Sequence, residues 1–280
     1  MSSQQQSTGD CLQHATTLLV NAGIATARLD SLVLLEDITN IDRAQLLAHP
    51  EQMLTASQAK KFTKMVQQRS THEPLAYIRG KTEFYGREFH IDHHVLEPRP
   101  ESEGMIDILK LFKSTRTIID VGTGSGALAI TAKLEIPQSQ VIAIDIDTDC
   151  LAVAKQNAKQ LGADIAFISS DLLENIDMSL LDSATLLCNL PYVPDSFQIN
   201  PAAMREPRLA IFGGPDGLDL YRKLFQQLKD AGSRPLLVLT ESMPPQHAEL
   251  KSIAEAAGFV LDRSEDFIQS FRISSGSSAL

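Results

Sequence analysis

The spacing of apolar residues changes twice along this chain of 280 residues. Up to about residue 73, apolar side chains recur every three or four positions, as at Leu12, Ala15 and Leu19, which predicts amphipathic helices. From Leu75, apolar and polar residues alternate around glycines, which predicts a β-hairpin. Beyond residue 98, short β-branched runs alternate with helical stretches, a rhythm typical of a doubly wound, mostly parallel α/β sheet. The predicted organisation is a helical domain (1–73), a hairpin linker (74–97), an α/β domain (98–274) and a disordered tail (275–280).

The stretch Ile118–Ala129 is predicted to form a strand, a glycine turn and a helix. Gly122, Gly124 and Gly126 permit positive φ and a close approach of a ligand to the backbone, and the helix directs its positive end at the turn. The spacing Gly-x-Gly-x-Gly departs from the Gly-x-Gly-x-x-Gly fingerprint of dinucleotide-binding proteins. The turn by itself leaves two ligands open, a nicotinamide dinucleotide and S-adenosyl-L-methionine.

Two acidic residues follow the next two strands. Asp145 ends the second strand, nineteen positions after Gly126, where a carboxylate can accept hydrogen bonds from both hydroxyls of a ribose. Both candidate cofactors contain that ribose. Asp171 ends the third strand, and Leu172 after it is predicted to lie beside an adenine, although Asp171 can also simply cap a turn.

The fourth strand separates the two cofactors, because it ends in Asn189-Leu190-Pro191-Tyr192. At the carboxyl edge of a parallel sheet this tetrad faces the cofactor. The side-chain oxygen of Asn189 and the carbonyl oxygen of Leu190, held by the rigid Pro191, make two acceptors that converge on one NH2 group. Tyr192 offers a flat face to a planar amide or base. Planar NH2 groups are poor nucleophiles, so orienting the nitrogen toward a sulfonium methyl carbon favours methyl transfer.

Composition limits the classes of partner and site. The formal net charge of −10 argues against a partner bound mainly through phosphates, so direct nucleic-acid binding is not expected. The three cysteines form no Cys-x-x-Cys pair, and Asp92 with its neighbouring histidines lacks a second set of ligands, so neither a disulfide framework nor a metal site is predicted. The polar N-terminus and the lack of an apolar run of about 18 residues predict neither secretion nor a membrane span. A reducing cytosol, and hence a cytoplasmic protein, fits best.

Taken in order, these motifs resemble those of class I S-adenosylmethionine-dependent methyltransferases. The motifs that carry the resemblance are Asp120–Gly126, Asp145, Asp171 and Asn189–Tyr192. More narrowly, the chain resembles bacterial release factor glutamine methyltransferases of the HemK/PrmC type from about residue 10 to residue 260. The narrower resemblance rests on the helical N-terminal domain and on matches at Glu73–Tyr77, Pro98–Glu103, Glu206–Ala210 and Gly217.

This resemblance implies a seven-stranded sheet, an N-terminal domain that recognises the substrate, and a role for each motif. The implied cofactor-binding residues are Gly122, Thr123, Gly124, Ser125, Gly126, Asp145, Asp171, Leu172 and Asn189. The tetrad Asn189–Tyr192 is implied to hold the methyl-accepting amide. The extended Pro98–Glu103 segment is expected to wall the substrate pocket, with Arg99 and Glu103 as its charged residues and Glu103 as a source of negative field.

The activity predicted from this resemblance is methylation of the glutamine in the Gly-Gly-Gln loop of class I peptide chain release factors. The family usually has a proline where Leu190 stands, and Asn-Leu-Pro-Tyr is also the form seen in ribosomal RNA adenine dimethyltransferases. One alternative is therefore an adenine exocyclic-amine methyltransferase acting on RNA or DNA. A second alternative is a non-catalytic cofactor-binding assembly factor, because the chain departs from the family pattern after residue 230.

Overall fold

The computed structural model describes residues 6–112, 115–231 and 235–273. The chain divides into two compact units, and the first consists of Met1–Gly80 with Asn200–Arg205. The second consists of Lys81–Ile199 with Glu206–Leu280. The tail predicted to be disordered, 275–280, lies outside the described residues. None of the helices in the described ranges is long and apolar enough to cross a membrane.

The first unit is built from helices, as the apolar spacing predicts. Its helices are α1 (Thr8–Asn21), α2 (Ala27–Thr39), α3 (Arg43–Ala48), α4 (Ala56–Ser70) and α5 (Leu75–Arg79). Helix α4 begins with a capping box, in which Thr55 and Gln58 each accept a hydrogen bond from the backbone N–H of the other. The apolar stripes of these helices meet in one core, which includes Leu19, Leu34 and Phe62.

The segment that follows differs from the sequence-based expectation. Residues 75–79 form helix α5, where the alternating pattern predicted the start of the hairpin. Pro74 starts the helix with an extended backbone, and Gly80, at φ +71°, ends it in the left-handed conformation. The hairpin begins at the next residue and consists of β1 (Lys81–Phe84) paired antiparallel with β2 (Arg87–His90).

The second unit contains a seven-stranded sheet, which confirms the predicted fold class. Its strands are β3 (Thr117–Val121), β4 (Gln140–Asp145), β5 (Ala166–Ser169), β6 (Ala184–Cys188), β7 (Leu237–Glu241), β8 (Phe259–Glu265) and β9 (Ile268–Ile273). They lie in the order β5-β4-β3-β6-β7-β9-β8, and β9 is antiparallel to both of its neighbours while the other pairs are parallel. Helices α6 (Glu103–Lys110), α7 (Ala127–Glu135), α8 (Thr148–Leu161), α9 (Asp219–Ala231) and α10 (His247–Ala256) belong to the same unit.

The topology brings the predicted motifs to one edge of the sheet. Strand β3 lies between β4 and β6, and its Asp120 is in register with Ala143 on one side and Leu187 on the other. Because these strands are parallel, the turns after them all leave from the carboxyl edge. The strand order reverses between β3 and β6, which is the topological switch point where open α/β sheets bind ligands.

Candidate active site

The glycine turn after β3 is fixed by hydrogen bonds that are accepted by the Ile144 carbonyl oxygen and by the Asp120 carboxylate. The N–H groups of Gly122 and Thr123 both donate to the carbonyl oxygen of Ile144, each at 2.9 Å. Asp120 Oδ2 accepts hydrogen bonds from Thr123 Oγ1 at 2.6 Å and from the N–H of Ala129 at 3.1 Å. Burial raises the pKa of the Asp120 carboxyl to about 7, even though these two donors act to lower it. The anchor under the turn is therefore a carboxyl that can carry a proton near neutral pH.

Glycine is required at each of the three positions of the turn for a different physical reason. All three have positive φ: Gly122 at +75°, Gly124 at +52° and Gly126 at +82°. A Cβ at Gly126 would lie 3.0 Å from Ala154 Cβ, so this glycine lets the start of α7 pack closely on α8. A Cβ at Gly122 would lie 3.1 Å from Leu190 Cδ2, whereas a Cβ at Gly124 would meet no atom within 4 Å. The open space over Gly124 fits a ligand that lies against the backbone of the turn.

Asp145 stands beside this turn at the end of β4. Its Oδ2 accepts the N–H of Gly124 at 2.9 Å, and its Oδ1 accepts the N–H of Asp147 at 3.0 Å. The carboxyl is buried, and burial raises its pKa despite these donors. The two backbone hydrogen bonds fix the plane of the carboxylate, so its remaining lone pairs have defined directions.

The predicted adenine-side residues lie after β5. Leu172 is buried with φ +52°, an uncommon backbone conformation for a leucine. The Asp171 carboxylate accepts a hydrogen bond from Lys223 Nζ of α9 at 2.6 Å. A ligand that bonded this carboxylate would share it with the Lys223 ammonium group.

The tetrad after β6 keeps two acceptors unused. No residue in the described ranges donates a hydrogen bond to the Leu190 carbonyl oxygen or to Asn189 Oδ1. Asn189 uses its amide nitrogen instead, since Nδ2 donates to Ser102 Oγ at 2.8 Å. This bond fixes the amide so that its two polar atoms cannot exchange places without losing a partner. The buried Leu190 side chain lies over Gly122, which brings the tetrad against the glycine turn.

A buried carboxylate ends the chain of hydrogen bonds that starts at Asn189. Ser102 Oγ donates to Glu241 Oε2 at 2.6 Å, and the Tyr192 hydroxyl donates to Glu241 Oε1 at 3.0 Å. Glu241, the last residue of β7, is 1% exposed. Burial raises the pKa of Glu241, against the effect of both donors, and burial together with the nearby Glu241 charge also raises the pKa of Tyr192. One carboxylate therefore orients both polar side chains of the tetrad.

The backbone of the tetrad is held by two buried side chains from other elements. The Tyr221 hydroxyl of α9 lies 2.9 Å from the carbonyl oxygen of Cys188 and 2.5 Å from that of Glu241, so it joins the ends of β6 and β7. Gln246 Nε2 donates to the carbonyl oxygen of Tyr192 at 2.8 Å. A Cβ at Gly217 would lie 2.0 Å from the same Tyr192 oxygen, so only glycine fits there. Glycine at position 217 allows the loop before α9 to pack directly on the tetrad.

The two charged residues of the extended segment lie in different surroundings. Arg99 Nη2 donates to Glu206 Oε1 at 2.5 Å, and burial raises the pKa of that carboxyl although the Arg99 charge acts to lower it. Glu103, the first residue of α6, accepts the N–H of Tyr85 at 2.7 Å and so fixes the β1–β2 turn. Their substrate-binding roles stay predictions. Neither residue hydrogen-bonds to the tetrad in the described ranges.

The structure adds residues that the sequence motifs do not contain. Ser102 lies within the predicted extended segment, but only its position next to Glu241 reveals that it connects this carboxylate to Asn189. Glu241 ends strand β7 and Tyr221 lies on helix α9, and neither residue belongs to a predicted motif. The residue that the sequence could have indicated is Glu241, since it is an acidic residue that ends a mostly apolar strand, as Asp145 does in β4.

One histidine cluster lies apart from this network. Asp92, His93 and His94 each offer one ligand atom, and these atoms lie within 4.8 Å of one another. The His94 ring nitrogen Nδ1 is 3.0 Å from Asp92 Oδ1, so the two residues already form a hydrogen bond. The predicted absence of a metal site stays a prediction.

Relatives of known class share both units of the chain. Residues 10–80 match the family described as the PrmC N-terminal domain, and residues 102–205 match the methyltransferase small domain. A release factor glutamine methyltransferase from Moorella thermoacetica is 35% identical over 254 residues, which cover 88% of this chain and 89% of the relative. The chain belongs to the release factor glutamine methyltransferase family. The relative of the same name from Koribacter versatilis is 38% identical over 74% of this chain and 76% of its own length.

Solved structures agree with this family at the level of the fold. The catalytic domain of hMettl16 in complex with MAT2A 3'UTR hairpin 1 superposes with a TM-score of 0.52 at 15% identity, covering 81% of this chain and 85% of that one. A likeness at that identity supports the class I methyltransferase fold alone. The match to the methyltransferase family confirms the prediction that the cofactor is S-adenosyl-L-methionine.

The residues around the glycine turn fit this cofactor. The cofactor supplies an electrophilic methyl group on a sulfonium. The open space over Gly124 suits its close approach to the backbone, and the fixed Asp145 carboxylate has lone pairs for a ribose diol. The buried carboxyls Asp145 and Glu241 near the carboxyl edge also favour a cationic ligand over a neutral one.

Proposed function

We propose that this methyltransferase acts on the side-chain amide nitrogen of a glutamine in a class I peptide chain release factor. The observation that carries the proposal is a pair of unused acceptors, Asn189 Oδ1 and the Leu190 carbonyl oxygen. The Asn189 side chain is held in place by its hydrogen bond to Ser102. An amide NH2 group has two N–H donors and so matches two acceptors. The names of the relatives, which are release factor glutamine methyltransferases, support the choice of substrate.

The tetrad acts by positioning a weak nucleophile. Two acceptors on the N–H bonds hold the planar nitrogen so that its lone pair points along the line of the departing sulfur. Correct near-attack geometry can lower a barrier by up to about 7–11 kcal/mol. A bond forms between the amide nitrogen and the methyl carbon as the carbon–sulfur bond breaks. The alkylated nitrogen then releases a proton to solvent, so the site needs no strong general base.

Glu241 serves this reaction as a positioning residue. It accepts from Ser102 and from Tyr192, so the Asn189 amide and the Tyr192 ring are both held by one carboxylate. The negative charge also favours the positive charge that moves from sulfur to nitrogen during transfer. Glu103, for which an electrostatic role was predicted, accepts the N–H of Tyr85, and its role stays a prediction beside the one proposed for Glu241.

An adenine amino group would also fit two acceptors and the Tyr192 ring, which keeps RNA and DNA as substrates to be tested. The acidic net charge favours a protein. A release factor substrate would place the enzyme in the cytoplasm.

The test substitutes Asn189, the first residue of the tetrad. Asn189→Ala is expected to abolish labelled methyl transfer into a purified class I release factor while S-adenosyl-L-methionine binding stays within about tenfold, or ~1.4 kcal/mol. Asn21→Ala, which removes an exposed amide at the end of α1, is the matched control and should keep full activity. Full transfer by the Asn189→Ala enzyme would refute the role of the tetrad.

A further inference from the structure

The two compact units of the chain carry very different charge. The unit of Met1–Gly80 with Asn200–Arg205 contains eight Lys and Arg against seven Asp and Glu, a net charge of +1. The whole chain has a net charge of −10, so the unit that contains the sheet carries −11. The positive charge of the helical unit is not evenly spread.

Helix α4 concentrates that charge on one exposed face. The helix has no acidic residue, and Lys60, Lys61 and Lys64 are all exposed. Their spacing of three and four residues puts them on the same side, opposite the buried Phe62 and Met65. Ser57, Thr63 and Gln67 lie beside the three lysines on the same exposed side of the helix. We call these six residues the α4 lysine face.

The lysines of this face are unneutralised, unlike four of the five arginines of the unit. Four arginines of the unit have carboxylate partners: Arg43 with Glu36, Arg69 with Asp30, Arg79 with Asp37 and Arg205 with Glu73. None of the three lysines forms an ion pair with a residue that the structure describes. The α4 lysine face is therefore an uncompensated cationic surface on a protein that is acidic elsewhere.

We infer that the α4 lysine face docks an acidic surface of the protein substrate. This inference rests on the proposed function, because it takes the methyl acceptor to be a protein. Three lysines suit a small acidic patch on a protein, where complementary charge increases the association rate and fixes orientation. Three lysines are few for binding a nucleic acid, since proteins that bind nucleic acids can neutralise about 6–10 phosphates. In addition, the charge of −11 on the other unit would repel a polyanion.

The test reverses the charge of the face in the full-length enzyme. The variant Lys60→Glu/Lys61→Glu/Lys64→Glu is compared with Lys155→Glu/Lys159→Glu/Lys229→Glu, which makes the same charge change at exposed lysines of the other unit. Methyl transfer into a purified class I release factor is measured at low salt and at about 0.5 M salt, where charges are screened within a few ångströms. Thermal unfolding and cofactor affinity, measured in parallel, are expected to be unchanged because all six side chains are exposed.

The expected result separates binding from chemistry. At low salt the α4 variant should raise KM by about tenfold or more with kcat within about twofold, and high salt should bring its KM close to that of the wild type. The control variant should change KM by less than about twofold.

Two outcomes would overturn the inference, and a third would overturn the proposed function instead. An unchanged KM, or an equal rise in both variants, would show that the face has no specific role although the enzyme methylates the release factor. Loss of RNA binding by the α4 variant with unchanged release factor KM would assign the face to nucleic acid. If the wild-type enzyme transfers no methyl to the release factor, the proposed function itself fails, which is a different result.

Discussion

The most informative single substitution is Glu241→Gln, because it changes the acceptor that orients the tetrad while keeping its shape. In the wild-type protein, Oε1 accepts from Tyr192 and Oε2 accepts from Ser102. Glutamine has one acceptor oxygen, so its NH2 group must face one of these two donors. Either the Tyr192 ring or the Ser102–Asn189 connection then loses its anchor.

The size of the effect follows from the hydrogen bonds that are lost. A hydrogen bond to a charged group contributes about 1.5–3 kcal/mol, and about 1.4 kcal/mol corresponds to tenfold in rate. We expect kcat to fall by about ten- to a hundredfold if the lost orientation is expressed in the transition state. Cofactor affinity should change by less than about threefold, because Glu241 hydrogen-bonds to Ser102 and Tyr192 rather than to the glycine turn or Asp145.

The pH dependence distinguishes orientation from a general loss of folding. Burial raises the pKa of Glu241, and only the deprotonated form can accept from both donors. Wild-type kcat should therefore be highest above this pKa and should fall as the pH falls through it. The glutamine variant cannot titrate, so its kcat should lack that acidic limb.

The assay is single-turnover methyl transfer into a release factor across a pH series, with Glu255→Gln on the exposed side of α10 as the control. The control should match the wild type in rate and in pH profile. If Glu241→Gln keeps full kcat, or keeps the acidic limb, then this carboxylate does not orient the tetrad.

Two further substitutions test the cofactor side of the site. Asp145→Asn leaves one acceptor oxygen for the N–H groups of Gly124 and Asp147 and removes the charge, so the Kd for S-adenosyl-L-methionine should rise about ten- to a hundredfold by calorimetry; an unchanged Kd would exclude Asp145 from the ribose site. Asp120→Asn can keep both donors on its one oxygen, since both bond to Oδ2. The pKa of Asp120 is about 7 in the folded protein, above its unfolded value of 3.8. The ligand-free wild type should therefore lose stability as pH rises between these values, at up to about 1.4 kcal/mol per pH unit. Denaturant titrations of the asparagine variant should lack this decline. Parallel stability curves for the two proteins would contradict that assignment.

Features set by neighbouring residues were predictable from the sequence. The Thr55 cap of α4, the strand–turn–helix around Gly122 and the alternation of strands and helices are local patterns, and the structure agrees with them. The fold class followed from the same alternation. Helix α5 was not predicted, because five residues give no helical period and the flanking Pro74 and Gly80 also suit a hairpin.

The connections behind the tetrad depend on distant parts of the chain. Ser102 and Glu241 are 139 positions apart and meet because the turn before α6 lies at the carboxyl end of β7. Likewise, Glu103 is adjacent to Ser102 in sequence yet bonds the hairpin turn, since successive residues at the start of α6 point in different directions. Sequence patterns identify which strand end carries a polar motif, but not which buried side chain orients it.

The central claim is that the enzyme methylates a release factor glutamine whose amide is held by the tetrad. One measurement tests this claim most directly. The purified enzyme is incubated with labelled S-adenosyl-L-methionine and a purified class I release factor, beside a release factor whose loop glutamine is alanine and a sample of ribosomal RNA. We expect label in the unaltered release factor alone. Label in the alanine variant at the same level, or in the RNA instead, would contradict it.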